Sequence, residues 1–135
     1  MHQVFVDTAA WIALIDADDW LHLRAMQVMD DLRRQKALLL TTEFVLLEVA
    51  DALSSPLIRA RTVVFINRLR SQSSLEIIPV GSNLFAAGWA LYSQRLDKEW
   101  GLTDCTSFAL MAQEQISQAF TSDHHFEQAG FFKLL

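Results

Sequence analysis

The chain has 135 residues, of which 52% are hydrophobic and 20% are charged. This length and composition predict one globular domain spanning residues 1–135 and exclude an intrinsically disordered chain. The net charge of −5 disfavours a protein that coats nucleic acid, because that mode of binding depends on many lysine and arginine contacts to phosphates.

The apolar runs and the single cysteine limit where the protein works. The longest runs are far shorter than the roughly 20 residues of a membrane-spanning helix. The N-terminal segment MHQVFVDTAAW lacks the basic region and the cleavage site of a signal peptide. We therefore expect a cytoplasmic protein without a membrane partner. Cys105 has no second cysteine with which to form a disulfide or a zinc cluster.

Predicted strands and helices alternate along the chain, as judged from apolar periodicity and from Gly, Pro and Ser punctuation. In chain order the elements are strand 4–6, helix 8–15, helix 21–32, strand 37–40 ending at Thr41 and Thr42, helix 43–53, helix 57–71, strand 75–79, helix 82–96, helix 103–115, strand 118–121, short helix 123–129 and an apolar piece after Gly130. This alternation predicts a three-layer α/β sandwich around a parallel sheet of four to five strands.

Three aspartates lie where a predicted strand ends or a predicted helix begins. Asp7 follows the first strand directly, Asp104 lies in the first turn of the helix that Thr103 opens, and Asp123 closely follows the fourth strand. Ligands of parallel α/β sheets bind beyond the carboxyl ends of the strands, so these acids are candidates for function. Each one could instead be an ordinary helix cap or first-turn acid.

Glu48 differs from these aspartates because it lies in the middle of the apolar helix FVLLEVADAL. A carboxylate there is costly unless it is paired, is bound to a metal ion or reaches the polar edge of the helix. Asp51 lies one turn further on and is either a fifth acid of the same site or a solvent-facing residue.

The chemistry of such a site follows from its charge. Carboxylates gathered at separations of about 5 Å would repel one another by roughly 3 kcal/mol per pair at an effective dielectric constant near 20. Mg²⁺ or Mn²⁺ would relieve this repulsion, since both are hard cations that prefer oxygen ligands. One or two such ions would orient and activate a water molecule, and hydrolysis of a phosphodiester is the reaction that this arrangement favours.

Four sequence blocks resemble the PIN-domain ribonucleases, especially the VapC-type toxins of bacterial toxin–antitoxin pairs: VDTAAW, EVADAL, LTDCTSFAL and FTSDHHFEQAGF. The resemblance runs nearly end to end and is most specific in the last two blocks. It implies a PIN-like fold and a metal-dependent endoribonuclease. It also implies that the catalytic and metal-binding acids are Asp7, Glu48, Asp104 and Asp123, with Mg²⁺ or Mn²⁺ as the cofactor.

Several neighbouring polar residues could support these acids. Ser107 matches a position where the family often carries a small polar residue, and its hydroxyl could hold a carboxylate or a water molecule. Thr8 could do the same beside Asp7, although helix-end hydrogen bonding explains both residues equally well. His124 and His125 could contact substrate or assist proton transfer, or they could be ordinary surface histidines after a turn.

The resemblance also implies partners: an RNA substrate, a second copy in a homodimer, and a cognate antitoxin. The C-terminal segment of such an antitoxin wraps the toxin and can place a basic side chain in the acidic site. Large apolar residues that could serve these contacts, or could belong to the core, are Trp11, Trp20, Phe65 and Trp89. Four arginines around an apolar centre could follow an RNA backbone or simply solubilise a helix, namely Arg59, Arg61, Arg68 and Arg70.

Two other function classes stay open. An aspartate that ends the first strand of an α/β fold can accept a phosphoryl group. The chain has no second aspartate two residues after Asp7, however, and Lys133 comes too late to hold a phosphate. The other alternative is a PIN-like scaffold that binds or helps to process RNA without cleaving it, and the presence of all four acids argues against it.

Overall fold

The computed structural model describes residues 2–135, and in this part of the chain a sheet of five parallel strands is flanked by seven helices. The strands are β1 (Gln3–Val6), β2 (Leu38–Thr42), β3 (Leu75–Ile78), β4 (Gln118–Phe120) and β5 (Phe132–Lys133). The helices are α1 (Thr8–Ile15), α2 (His22–Arg34), α3 (Glu43–Ala52), α4 (Arg59–Leu69), α5 (Ser82–Gln94), α6 (Leu102–Gln113) and α7 (His124–Gln128). The predicted α/β sandwich is confirmed. Among residues 2–135 there is no helix with both the length and the apolar character needed to cross a bilayer.

The predicted element boundaries agree with the structure to within two residues, and the differences lie where turns replace helix or strand. The helix predicted from residue 57 begins at Arg59, because Ser55 O accepts the N–H groups of both Ile58 and Arg59 in a turn that precedes it. The apolar piece after Gly130 forms β5, which pairs with β4. The sheet therefore has five strands, which is the upper limit of the predicted four to five.

The strand order β3-β2-β1-β4-β5 changes direction at β1. On one side of β1, Val4 lies opposite Leu39 of β2, and on the other side Val6 lies opposite Phe120 of β4. In a parallel α/β sheet this reversal opens a crevice beyond the carboxyl ends of the two central strands. The fold therefore places a cleft where Asp7 leaves β1 and where Thr121 leaves β4.

The core around β1 includes one tryptophan that was considered for an interface. Trp11 is 1% exposed, and its Nε1 donates a hydrogen bond to Thr41 Oγ1 over 3.2 Å. Phe65 is half-buried and packs edge-on against it. Trp11 therefore belongs to the core, whereas Trp20 and Trp89 are exposed and remain available to a partner.

Candidate metal centre

The carboxyl ends of β1 and β4 lie side by side and bring two of the predicted acids together. Asp7 N donates a hydrogen bond to Phe120 O over 3.1 Å, which continues the pairing of the strands. Thr121 Oγ1 donates a hydrogen bond to Asp7 Oδ2 over 2.9 Å. Thr121 Oγ1 also accepts the backbone N–H of Asp123 over 3.1 Å. One threonine hydroxyl therefore ties Asp7 to the turn that carries Asp123.

Asp7 is a buried carboxylate that does not cap its helix. It occupies the position before α1, but its side chain accepts no capping hydrogen bond there. The residue is 3% exposed, and its Oδ1 has no hydrogen-bond partner within residues 2–135. Burial raises the pKa of Asp7 to about 7, and the charges of Asp104 and Glu48 add to that rise. The helix-cap alternative therefore does not explain this aspartate.

Glu48 reaches the same cleft from α3. Thr42 positions this helix, because its Oγ1 accepts the N–H of Val45 at the first turn. Glu48 itself is exposed, and its Oε1 accepts a hydrogen bond from Thr8 Oγ1 over 2.5 Å. The expected cost of burying Glu48 in an apolar helix does not arise, because the side chain lies at the polar edge and is held there.

Asp104 performs two tasks at the start of α6. The helix begins at Leu102, one residue before the predicted start, and Asp104 Oδ2 accepts the N–H of Gly101 over 3.1 Å. The carboxylate is partly buried, and this burial raises its pKa. The negative charges of Asp123 and Glu48 act in the same direction. Asp104 is therefore a first-turn acid, as one alternative held, and also a member of the acidic cluster.

Asp123 is the N-cap of α7, since its Oδ1 accepts the N–H of His125 over 2.9 Å. His125 Nδ1 lies 3.3 Å from Asp123 Oδ1 and 3.5 Å from Asp104 Oδ2, so its ring stands between two of the acids. His124 is more exposed, at 70% of its side chain, and its Nδ1 lies 3.8 Å from Asp123 Oδ1. The charges of Glu48 and Asp104 act on Asp7, and those of Glu48 and Asp123 act on Asp104. We therefore call Asp7, Glu48, Asp104 and Asp123 the acidic cluster.

Sequence reasoning did not name Thr121, and it left His125 open between a role at the site and an ordinary surface histidine, although both lie in the block FTSDHHF. The spacing of this block has a structural basis. Phe126 is fully buried and packs against Phe5 of β1 and Phe108 of α6. This anchor fixes the turn before it, and so places Thr121 against Asp7.

The structure places the three predicted supporting residues in different surroundings. Thr8 holds Glu48 and not Asp7. Ser107 is completely buried, and within residues 2–135 its Oγ has no hydrogen-bond partner, so a role toward a bound water stays a prediction. Asp51 is exposed and makes no side-chain hydrogen bond or ion pair with any described residue, so its membership of the site also stays a prediction.

Cys105 is a small buried side chain whose thiol pKa is raised by burial, which makes it a poor nucleophile.

The acidic cluster has the donor chemistry of a divalent-metal site. Its oxygens suit a hard cation, and the unpaired buried Oδ1 of Asp7 is an oxygen that lacks a partner. By distance alone, a different group is tighter, since Asp123, His124 and His125 have ligand atoms within 4.8 Å of one another. We favour the cluster around Asp7, because one of its buried oxygens lacks a partner and because burial disfavours the negative charges of Asp7 and Asp104, a cost that a bound cation would offset. His124, by contrast, is exposed.

Comparison with known proteins identifies the family of the chain. Residues 4–132 match the PIN domain. The chain is 28% identical over 132 residues to the 23S rRNA-specific endonuclease VapC20 of two Mycobacterium tuberculosis strains, covering 98% of each chain. The crystal structure of M. tuberculosis VapC20, described as a sarcin–ricin loop cleaving toxin, matches with a TM-score of 0.83 over 95% of both chains. FitAcB from Neisseria gonorrhoeae, at 18% identity and a TM-score of 0.65, covers 96% of this chain and 95% of its own and shares the fold. The chain belongs to the PIN-domain family, as its sequence blocks predicted.

Proposed function

We propose that this chain is a divalent-metal-dependent endoribonuclease of the VapC toxin type, with Mg²⁺ or Mn²⁺ held by Asp7, Glu48, Asp104 and Asp123. The observation that carries the proposal is Asp7, a buried acid with one unpaired oxygen beside two other carboxylates. The similarity of the chain to an endonuclease, over nearly its whole length, supports the same reaction class.

The residues of the cluster would have distinct tasks. Thr121 and Thr8 hold the carboxylates of Asp7 and Glu48 in place, so the oxygens are organised before any ion or substrate arrives. The chemistry that a divalent ion supplies when bound is activation of water and neutralisation of charge on the scissile phosphate. The low exposure of Asp7 keeps bulk water from screening its charge.

The substrate class that we propose is structured ribosomal RNA. VapC20 is described as specific for 23S rRNA and as cleaving the sarcin–ricin loop. An RNA that carries this loop is therefore the first RNA to test, alongside an unstructured RNA of equal length.

The test of the nuclease proposal replaces single acids by their amides. We expect Asp7→Asn and Asp104→Asn each to lower Mn²⁺- or Mg²⁺-dependent cleavage of RNA by at least about 100-fold, since loss of a metal ligand weakens both binding and activation. Asp18→Asn is a matched control, because Asp18 is exposed and outside the cluster. Thermal unfolding of each variant would show that the fold persists.

Three outcomes would contradict the assignment in different ways. Unchanged cleavage by both amide variants would remove the acidic cluster from the reaction. Tight RNA binding by the wild type without any metal-dependent cleavage would favour the scaffold alternative. Labelling of Asp7 by a small phosphodonor would favour phosphotransfer.

We also propose that an antitoxin occupies the groove between α1, α2 and α4. This cavity of about 240 Å³ has an apolar floor and charged residues at its rim, and its lining includes Trp11, Leu14, Met26, Met29, Asp30, Arg33, Phe65 and Arg68. An amphipathic helix fits such a surface, and methionines adapt to it readily. Met26→Lys should prevent neutralisation by a cognate antitoxin and leave RNA cleavage intact. Leu57→Lys, at an exposed apolar position outside the groove, should leave both neutralisation and RNA cleavage unchanged.

A homodimer is the third part of the proposal, with α5 as its interface. Four exposed apolar side chains follow one face of this helix and its C-terminal end, namely Phe85, Trp89, Tyr92 and Leu96. Contiguous apolar surface of this kind marks association sites. Trp89→Glu should convert the dimer to a monomer, which halves the mass measured by sedimentation. Trp20→Glu, outside α5, should leave that mass unchanged.

A further inference from the structure

His125 occupies a position inside the acidic cluster that its sequence neighbours do not share. Its side chain is 19% exposed, and its Nδ1 lies 3.3 Å from Asp123 Oδ1 and 3.5 Å from Asp104 Oδ2. The side chain of His124 is 70% exposed, and its Nδ1 lies 3.8 Å from Asp123 only. A single ring nitrogen therefore faces two proposed metal ligands that come from different helices.

This nitrogen has no hydrogen-bond partner. His125 Nδ1 is a buried polar atom, yet neither carboxylate contact has the alignment of a hydrogen bond, and no other described residue supplies one. Buried nitrogens and oxygens in folded proteins are almost always paired, so each exception needs an explanation, and a bound ion is one of them. Asp7 Oδ1, in the same cleft, is another exception.

The ring is held in place by groups other than its own nitrogens. The backbone N–H of His125 donates to Asp123 Oδ1, and the next residue, Phe126, is fully buried between Phe5 and Phe108. The rings of His124 and His125 also lie 4.4 Å apart. The backbone and its neighbours therefore orient His125, and Nδ1 stays free to bind.

We propose that His125 Nδ1 is a nitrogen ligand of the metal ion at the acidic cluster, and that it biases the site toward Mn²⁺ over Mg²⁺. The inference rests on the proposed function, because it assumes an ion held by the acids. Neutral imidazole binds first-row transition metals well, whereas Mg²⁺ keeps to oxygen ligands and gives up its water reluctantly. Four carboxylates alone would not separate the two ions by donor type.

The experiment measures Mn²⁺ and Mg²⁺ binding by calorimetry and the Mn²⁺ environment by pulsed electron paramagnetic resonance. We expect ¹⁴N coupling to bound Mn²⁺ in the wild type and in His124→Gln, the matched control. The coupling should disappear in His125→Gln, and Mn²⁺ affinity should fall by about tenfold or more while Mg²⁺ affinity changes far less. His125→Asn is a second variant, smaller than Gln, and thermal unfolding without metal would check the fold of both.

The outcomes separate this inference from the proposed function. Mn²⁺ that binds the wild type without ¹⁴N coupling, or with equal affinity in His125→Gln, would overturn the nitrogen ligand and leave the acidic site intact. Tighter Mn²⁺ binding by His125→Gln would show that the imidazole acts as a counter-charge that the ion displaces, which also overturns it. No Mn²⁺ binding by the wild type, with Asp7→Asn as the reference, would overturn both.

Discussion

At the scale of single residues, the three aspartates of the acidic cluster differ in how their carboxylate oxygens are used. Asp123 accepts a backbone N–H through Oδ1, and Asp104 accepts one through Oδ2, so both contribute to helix ends. Asp7 accepts the Thr121 hydroxyl through one oxygen and leaves the other buried without a partner. All three aspartates lie at or near the start of a helix, so this difference depends on which groups surround each carboxylate.

The raised pKa of Asp7 predicts a pH-dependent stability of the metal-free protein. Its pKa rises from 3.8 to about 7 on folding, so between these values the folded chain binds more protons than the unfolded chain. The free energy of unfolding therefore falls as pH rises from about 4 to about 7, by an amount on the order of a few kcal/mol from this group. Asp7→Asn cannot ionise and should gain stability relative to the wild type over that window.

Urea unfolding of both proteins in EDTA, at steps across the same pH range, measures this difference directly. Parallel stability curves for the wild type and Asp7→Asn would mean that Asp7 ionises in the folded protein as it does in the unfolded chain.

At the scale of elements, the contact between α5 and α6 positions the helix that carries Asp104. Gly88 allows this close approach, because a Cβ atom added there would lie 2.5 Å from Thr106 Cγ2 and 3.0 Å from Thr106 Cα. One of these atoms is backbone, so rotation of the threonine side chain alone cannot make room. The two helices would have to move apart.

Gly88→Ala should therefore destabilise the fold by about 1–3 kcal/mol and lower cleavage, because α6 shifts relative to β1. Gly81→Ala is the matched control, since a Cβ there would meet nothing within 4 Å. The pair Gly88→Ala with Thr106→Ser should recover part of the loss, because serine lacks the Cγ2 atom. Chemical denaturation measures all three, and equal stability of the two alanine variants would contradict the packing argument.

At the scale of the whole molecule, metal binding should stabilise the fold, because the acids of the site come from segments far apart in the chain. Mn²⁺ at about a hundredfold excess over its Kd would add about 2.7 kcal/mol, which corresponds to roughly 10 °C in Tm for a domain of this size. Glu48→Gln should show a much smaller rise, because it removes one charged ligand.

Glu114→Gln serves as the control for that measurement, since Glu114 is exposed at the far end of α6. Scanning calorimetry with and without Mn²⁺ gives the shift for each protein. Equal shifts in the wild type and Glu48→Gln would remove Glu48 from the metal site.

The sequence alone determined the alternation of strands and helices, and it picked out the four acids through their positions at strand ends and within motif blocks. Local spacing carries this information, since helices and strands repeat their apolar faces with different periods. It did not distinguish Trp11 from Trp20 or Trp89, because a large apolar residue looks the same in a core and on a surface.

Only the tertiary structure decided how the polar groups of the site pair with one another. Thr8 holds Glu48 across 40 positions of sequence, and Thr121 holds Asp7 across 114. His125 stands between Asp104 and Asp123 because Phe126 is anchored in the core. Such contacts join segments that meet when the sheet assembles, and hydrogen-bond partners follow from atomic positions that no local pattern encodes.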